Sequence, residues 1–195
     1  MMIKIDGYST NTTLGPDGSN NSAVWLHGCD KHCKGCISSR NSLPAAMELG
    51  TLMLAMTLTS KCPDTVVISG GEPFMQEEAL DELTEHIKLL MGSSTGIMIY
   101  TGRLYEELVS ETAQRILGRC DLLVDGEYIR DLDDSLPYRG SSNQRLIFLT
   151  ERYKDRLSAR ERRAVITVDG DIARLDGIPS REQEHAWLSL KGGAI

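Results

Sequence analysis

The chain predicts an α/β fold: an incomplete (βα) barrel with a mainly parallel sheet and a short C-terminal hairpin appendage. Three features predict it. Apolar runs of strand length recur, stretches of helical period separate them, and the pattern changes after residue 150. The strands read in order as Ala23–His27, Thr65–Ser69, Gly96–Tyr100, Leu122–Asp125 and Arg145–Thr150. Strands that alternate with helices pair in parallel, because each crossover brings the chain back in the same direction. Leu49, Leu52, Met53 and Met56 share one face of the helix before the second of these strands, and Leu80, Leu83, Ile87 and Leu90 one face of the next. A third helix covers Leu104–Leu117, and the methionines on these faces read as core filler. Tyr8–Ser22 and Gly140–Gln144, rich in Gly, Asn, Ser and Thr, read as loops. Arg163–Val168 and Ile172–Leu175 flank Asp169-Gly170, a dipeptide suited to a type I′ hairpin turn. One unit spans 1–195, with its core at about 1–150 and the appendage at about 151–195. Five strands with short helices leave such a barrel open on one side, and an open mouth suits a large substrate.

Composition narrows the function classes. Hydrophobic residues make up 41% and charged residues 25%, both ordinary for a soluble domain, which disfavours disorder and a membrane class. A net charge of -7 argues against a nucleic-acid surface. Met1–Gly7 lacks the apolar core of a secretory signal, and no stretch reaches the roughly 18 apolar residues that span a bilayer, so a cytoplasmic location is expected. Five cysteines are an odd number in a chain too long to need disulfide stapling. Cys62 and Cys120 stand apart and read as small buried apolar residues.

The other three thiols fall in His27-Gly28-Cys29-Asp30-Lys31-His32-Cys33-Lys34-Gly35-Cys36, a C-x3-C-x2-C spacing directly after the first of those strands. Three thiolates from one loop can hold three irons of a [4Fe–4S] cubane and leave the fourth iron open to a ligand. Structural zinc is the alternative; it wants four closed ligands, no second cysteine pair follows, and His27 or His32 would have to complete the set. Asp30, Lys31 and His32 read as solvated loop residues around such a centre, able to tune its potential. A second motif, Ser69-Gly70-Gly71-Glu72-Pro73, sits where the next strand ends. Alone it is a common turn. Its position gives it weight, because ligands of open α/β sheets gather beyond the carboxyl ends of the strands, where the cysteine loop also lies.

Together, the cysteine spacing and the strand-terminal Gly-Gly-Glu-Pro resemble the radical S-adenosylmethionine (SAM) superfamily. Within it, Lys34-Gly35-Cys36, Tyr100-Thr101-Gly102, Val124-Asp125-Gly126, Arg139-Gly140-Ser141-Ser142-Asn143-Gln144-Arg145 and Gly177-Ile178-Pro179 resemble the anaerobic ribonucleotide reductase activating proteins, the glycyl radical enzyme activases. The resemblance implies a radical SAM fold and a [4Fe–4S] cluster on Cys29, Cys33 and Cys36, with SAM bound at the open iron. It implies that Gly70, Gly71 and Glu72 hold the SAM amino group and that Gly35 and Ile37 flank the adenine. Asp125 would orient the methionyl end or hold a cation with Thr101, although Asp125-Gly126 is also a good turn dipeptide. Arg139 and Arg145 would offer guanidinium forks to a carboxylate of SAM or of a partner, with surface solvation as the alternative, and Asn143 would cap the turn between them. The implied activity is reductive cleavage of SAM to a 5′-deoxyadenosyl radical that installs a glycyl radical on a partner enzyme. That partner would be an anaerobic ribonucleotide reductase, with flavodoxin or ferredoxin as the kind of electron donor. The competing readings are a stand-alone radical SAM enzyme acting on a peptide or metabolite, and a zinc-stabilised binding module.

Overall fold

The computed structural model describes residues 1–16, 20–38, 45–157, 162, 164–169 and 172–192. Its main sheet contains β1 (Met2–Ser9), β2 (Asn21–Leu26), β3 (Met47–Gly50), β4 (Thr65–Gly70), β5 (Gly96–Tyr100), β6 (Leu122–Asp125) and β7 (Arg145–Phe148). Their order across the sheet is β3-β1-β2-β4-β5-β6-β7. The four central strands β2, β4, β5 and β6 are parallel, as the alternation with helices requires. β1 and β3 extend the sheet antiparallel on one side and β7 on the other, which leaves the sheet open at β3 and β7. The antiparallel direction of β7 follows from its connection, because the segment from Gly126 to Gln144 returns the chain to β6 without a crossover helix.

The three helices that connect the strands cover one face. α1 (Thr51–Thr59), α2 (Glu77–Met91) and α3 (Glu111–Leu117) pack on Ile3, Ile5, Val24, Leu26, Val66, Ile68, Ile97, Ile99 and Leu123. Alternate residues of the same strands, among them Ala23, Val67, Met98, Leu122 and Val124, point the other way. There they meet Leu14, Tyr138 and Tyr153, which come from loops. The Tyr153 hydroxyl hydrogen-bonds Thr65 Oγ1 at 2.9 Å, which satisfies a polar tip inside that layer.

Local expectations and structure part at identifiable places. β1 lies in a stretch not read as a strand, although Ile3 and Ile5 alternate with Lys4 in the period of a half-buried strand and both are fully buried. β3 is also new, and it takes Leu49 out of the expected helix by pairing it with Ile3. The expected face of α1 is therefore the wrong one. Leu52, Met53 and Met56 are about half exposed or more, while Leu54, Ala55 and Leu58 are fully buried. Both triplets have the i, i+1, i+4 spacing of a helical stripe, so periodicity does not distinguish them, and only the sheet decides. On α2, Leu80, Leu83 and Ile87 are buried as expected, and Leu90 faces out at the last turn.

The expected helix over Leu104–Leu117 divides into a single 3₁₀ turn at Tyr105–Glu107 and then α3. Ser110 caps α3 by accepting from the Ala113 N–H at 2.9 Å, which sets the later start. Cys120 is buried as expected, and burial pushes its thiol up to about 12. Cys62 is exposed instead, in a left-handed turn after α1 with φ 48. The C-terminal hairpin is present as β8 (Ala164–Asp169) and β9 (Ile172–Gly177), an antiparallel pair separate from the main sheet. Arg163 and the Gly170 of the expected turn lie outside the described residues. A final helix, α4 (Arg181–Gly192), was not expected. Among the described residues no helix is long and apolar enough to cross a membrane.

The two stripes of α1 give a direct test. Leu54→Ala is expected to destabilise the protein by about 2–5 kcal/mol, the range for deleting a buried leucine. Met53→Ala, on the outward stripe, should stay within about 0.5 kcal/mol of the parent. Urea unfolding followed by far-UV circular dichroism reads both, and equal effects would mean that the helix packs by its other face.

Candidate functional site

The site is built where β2 and β4 end side by side. Leu26 and Gly70 are register partners, and the pairing continues past both strands: the Gly71 N–H donates to the Leu26 carbonyl and the Glu72 N–H to the Gly28 carbonyl, each at 2.7 Å. Only glycine permits this approach. A Cβ on Gly71 would lie 1.9 Å from the Gly28 oxygen, and one on Gly70, whose φ is +109, would lie 2.3 Å from the Leu26 nitrogen. The paired glycines thus bring the cysteine loop against the end of β4, a role for them that the sequence reading did not contain.

Gln76 and Asp6 fix the base of that loop. The Gln76 amide bonds both main-chain groups of Lys4 and donates to the His27 carbonyl at 3.0 Å. His27 Nδ1 meets Asp6 Oδ1 at 2.7 Å, so this ring is engaged by a carboxylate on β1. Beyond it, Cys29, Cys33 and Cys36 all border one cavity of about 200 Å³. Cys29 Sγ accepts from the Lys31 N–H at 3.5 Å, and the Cys36 N–H donates to the Cys33 carbonyl at 3.1 Å, folding the second half of the motif into a turn. Burial pushes the Cys36 thiol up, and the neighbouring charges of Cys33 and Cys29 push it further. Burial likewise raises Cys33. Three thiolates this near one another need positive charge among them, which a bound metal centre would supply. The thiols ring the cavity without meeting at a point: among the described residues no three His, Cys, Asp or Glu side chains gather closely enough to share one metal ion. A cubane has no such need, since each of its three protein-bound irons takes its own thiolate.

Gly35, Ile37, Gly70, Gly71, Glu72 and Thr101 border the same cavity, so the structure brings these expected residues together with the three cysteines. Glu72 is almost fully buried. One carboxylate oxygen accepts from the Phe74 N–H at 3.0 Å, capping the 3₁₀ turn Pro73–Gln76, and from Thr101 Oγ1 at 2.8 Å. The other accepts from the Gly102 N–H at 2.8 Å. Burial nevertheless holds this carboxyl above the usual range, against the opposing pull of those donors. A carboxylate has about four acceptor positions, so one remains for a ligand.

Asp125, Arg139 and Arg145 do not reach the cavity wall. Asp125 and Arg145 are register partners across β6 and β7, and the guanidinium grips both oxygens of the fully buried carboxylate, with Nε to Oδ1 at 2.9 Å. The Tyr105 N–H completes Asp125 at 2.8 Å. Arg139 is held by Asp134 and the Gln144 carbonyl. Asn143 donates to the Glu127 carbonyl, and Gln144 Oε1 accepts from the Gly140 N–H, so the polar loop is tied into itself. Asp30 pairs with Arg103, whereas Lys31 borders the cavity and reaches Glu127 at 3.3 Å.

Sequence reasoning missed much of the wall. Trp25 and Tyr100 come from the strand faces opposite the helices, and Tyr128 from the segment after β6. Their strand positions were legible, but not which face would carry a cavity. Arg162 and Glu184 come from the C-terminal appendage with no local signal to mark them, whereas Ile178 and Pro179 belong to the Gly177-Ile178-Pro179 motif that the resemblance picked out without giving it a role.

Residues 16–147 match the family model described as a 4Fe–4S single cluster domain. The anaerobic ribonucleoside-triphosphate reductase-activating protein of Haemophilus influenzae is 28% identical over 149 residues, covering 72% of this chain and 88% of that protein. The protein of the same name from Vibrio cholerae is 27% identical over 146 residues, 70% of this chain and 92% of the relative. That of Enterobacteria phage T4 is 25% identical over 129 residues, 63% and 80% of the two chains.

The corner between β2 and β4 predicts how the cysteine loop fails. Gly71→Ala should displace Gly28 and lower the iron bound after anaerobic reconstitution, along with stability, because the added methyl meets backbone that cannot move alone. Gly7→Ala, where a Cβ meets nothing within 4 Å, is the control and should reconstitute like the parent. Iron analysis and thermal unfolding of both variants check this.

Proposed function

Because the chain belongs to the family of 4Fe–4S single cluster domains, we propose that it is a radical SAM activase that generates a glycyl radical on an anaerobic ribonucleoside-triphosphate reductase. One observation carries the reading: the three thiols of the C-x3-C-x2-C loop and the Gly71–Glu72 corner face one cavity, and the Gly71 and Glu72 N–H groups donate to Leu26 and Gly28, the backbone from which the cysteine loop leaves. The names of the relatives supply the activase role and the class of partner.

Cys29, Cys33 and Cys36 would hold the cluster. Bound there with SAM, it would supply a one-electron cleavage of the sulfonium C5′–S bond to a 5′-deoxyadenosyl radical. The residues of this chain bind, orient and shield. The remaining acceptor position of Glu72 suits the SAM ammonium, and a cation there offsets the burial that raises this carboxyl. Thr101 and Gly102 aim the carboxylate from β5. Gly35 and Ile37 would flank the adenine, and Trp25, Tyr100 and Tyr128, which line the same cavity, would help exclude water from it. Asp125 and Arg145 serve by their bond to each other, and Arg139 by its bonds to Asp134 and the Gln144 carbonyl, so that all three stiffen the loop behind the wall. A reductant of the flavodoxin or ferredoxin kind fits the chemistry.

Anaerobically reconstituted protein should bind about four irons and four sulfides per chain, as a cubane requires. Cys29→Ala, Cys33→Ala and Cys36→Ala should each abolish this, while Cys62→Ala and Cys120→Ala should not. With reductant, SAM and the partner reductase, the protein should release 5′-deoxyadenosine and raise a glycyl radical doublet in electron paramagnetic resonance. Zinc in place of iron would overturn the cluster assignment. Turnover of free peptides or metabolites with no radical on the reductase would overturn the activase reading alone.

Glu72→Gln puts an N–H where the site needs an acceptor. SAM affinity should fall roughly tenfold to a hundredfold, the loss expected for one charge-assisted hydrogen bond, with iron content kept. Titration of SAM into the reduced protein, followed by the change in the cluster's paramagnetic signal, measures it.

A further inference from the structure

SAM carries an ammonium and a carboxylate on one carbon, so the groups that receive them must stand side by side. Glu72 suits the ammonium, and the carboxylate then needs a cation close to Glu72. Arg139 and Arg145, which the sequence offered for that role, do not border the cavity. Among the described residues two cations do, Lys31 and Arg162. Arg162 has no donor to spare. Its five N–H groups meet Asp133, the carbonyls of Leu136, Arg139 and Gly140 and, at 3.4 Å, that of Pro179. Arg103 faces Glu72 at 3.9 Å, but it is held by Asp30 at 3.0 Å and does not reach the wall.

Lys31 stands differently. It lies between Cys29 and Cys33, and its N–H donates to Cys29 Sγ at 3.5 Å, which ties its main chain to the first cysteine. Its stem crosses Gly102, just past β5. A Cβ on Gly102 would lie 3.1 Å from Lys31 Cγ and 3.5 Å from Glu72 Oε2, so the lysine stem and the buried carboxylate flank one point that glycine leaves empty. Among the described residues the partner of Lys31 Nζ is Glu127 at 3.3 Å, a half-exposed carboxylate that does not line the cavity. An ammonium has three donors, and this contact engages one of them. An ion pair with so exposed a partner contributes little, so a ligand carboxylate can share or replace it at small cost.

We propose that Lys31 binds the carboxylate of SAM while Glu72 holds its ammonium, so that an acid and a base on either side of Gly102 recognise the amino-acid head as a zwitterion. The assignment rests on the reading of the cavity as a SAM site. It gives the segment between the first two cysteines a part in holding the ligand as well as the cluster. It also makes the site selective, because a ligand that keeps the ammonium but lacks the carboxylate leaves Lys31 with Glu127 alone.

Binding to the reconstituted, reduced protein tests the assignment, with iron content measured first and SAM and decarboxylated SAM as the two probes. Lys31→Met keeps the length of the stem and removes the charge. Its SAM affinity should fall about tenfold, the loss expected for one charge-assisted hydrogen bond, with iron content kept. Decarboxylated SAM should bind the parent and Lys31→Met alike, because it offers the lysine nothing to meet. Lys31→Arg, which restores a cation, should recover most of the SAM affinity. Glu127→Gln separates ligand binding from a tie between loops: it releases the lysine and should leave SAM affinity equal or higher. Equal SAM affinity in the parent and Lys31→Met would overturn the assignment. So would an equal loss for both probes, a loss in Glu127→Gln that matches Lys31→Met, or a Lys31→Met protein that no longer holds iron, since the lysine would then serve the loop and not the ligand. A parent that holds its irons and binds no SAM is a different failure, that of the SAM reading itself, and the assignment falls with it.

Discussion

The contact on which the rest depends is the approach of two chain ends beyond the sheet, where Gly70 and Gly71 meet the backbone of Leu26 and Gly28. Parallel neighbours normally part company after their last ladder bond, because each turns into its own connection. Here two further hydrogen bonds keep them together, and glycine is the residue that allows them. The cysteine loop therefore leaves β2 already fixed against β4. Glu72, next in the chain, is fixed with it, and its carboxylate draws in Phe74 of its own turn and Thr101 and Gly102 beyond β5. Three strand ends are bound into one corner by a few bonds around a single buried acid. That acid is costly to bury, and its three donors are what make the burial tolerable.

The sheet gives this corner its surroundings by being covered unequally. α1, α2 and α3 close one face with branched and aliphatic side chains in direct contact. The opposite face carries no helix of the βα succession and is closed by loop residues, with Leu14, Tyr138 and Tyr153 over Val67, Met98 and Val124. Loops fill a layer less completely than helices, and the space left near Trp25 and Tyr100 is the cavity. Its remaining side is supplied by the C-terminal segment, which is attached by hydrogen-bonded ions and hydroxyls. The cavity thus lies between a corner fixed by backbone hydrogen bonds and a wall built from the C-terminal segment.

The buried ion pairs show the same economy. Asp125 is fully buried, and Arg145 meets it across β6 and β7, so the polar loop between these strands is closed at its base. Arg162 is as deeply placed and engages Asp133 with carbonyls of the 136–140 turn. Removing Arg145 leaves the Asp125 charge in a poorly solvated place, and removing either Arg162 or Asp133 strands its buried partner, so both pairs act as clamps on the loop.

By itself the sequence determined what is local or set by residue type. The central parallel strands were legible from their apolar runs, α2 from its stripe, the C-terminal hairpin from its two strands, and the three clustered thiols as a candidate centre from their spacing. Gly70, Gly71 and Glu72 were legible as residues near the cysteine loop because glycine pairs at a strand end leave a mark in the sequence, and they do border the same cavity. Tertiary structure decided what depends on which surfaces meet. α1 carries two stripes of the same spacing, and only the sheet selects Leu54 and Leu58 over Met53 and Met56. Asp125 and Arg145 are equally suited to a ligand or to each other, and antiparallel register across β6 and β7 pairs them. The place of Arg162 and Glu184 in the cavity wall left no trace in local pattern, because contacts between residues far apart in the chain are set by the path of the backbone and not by the periodicity of either segment.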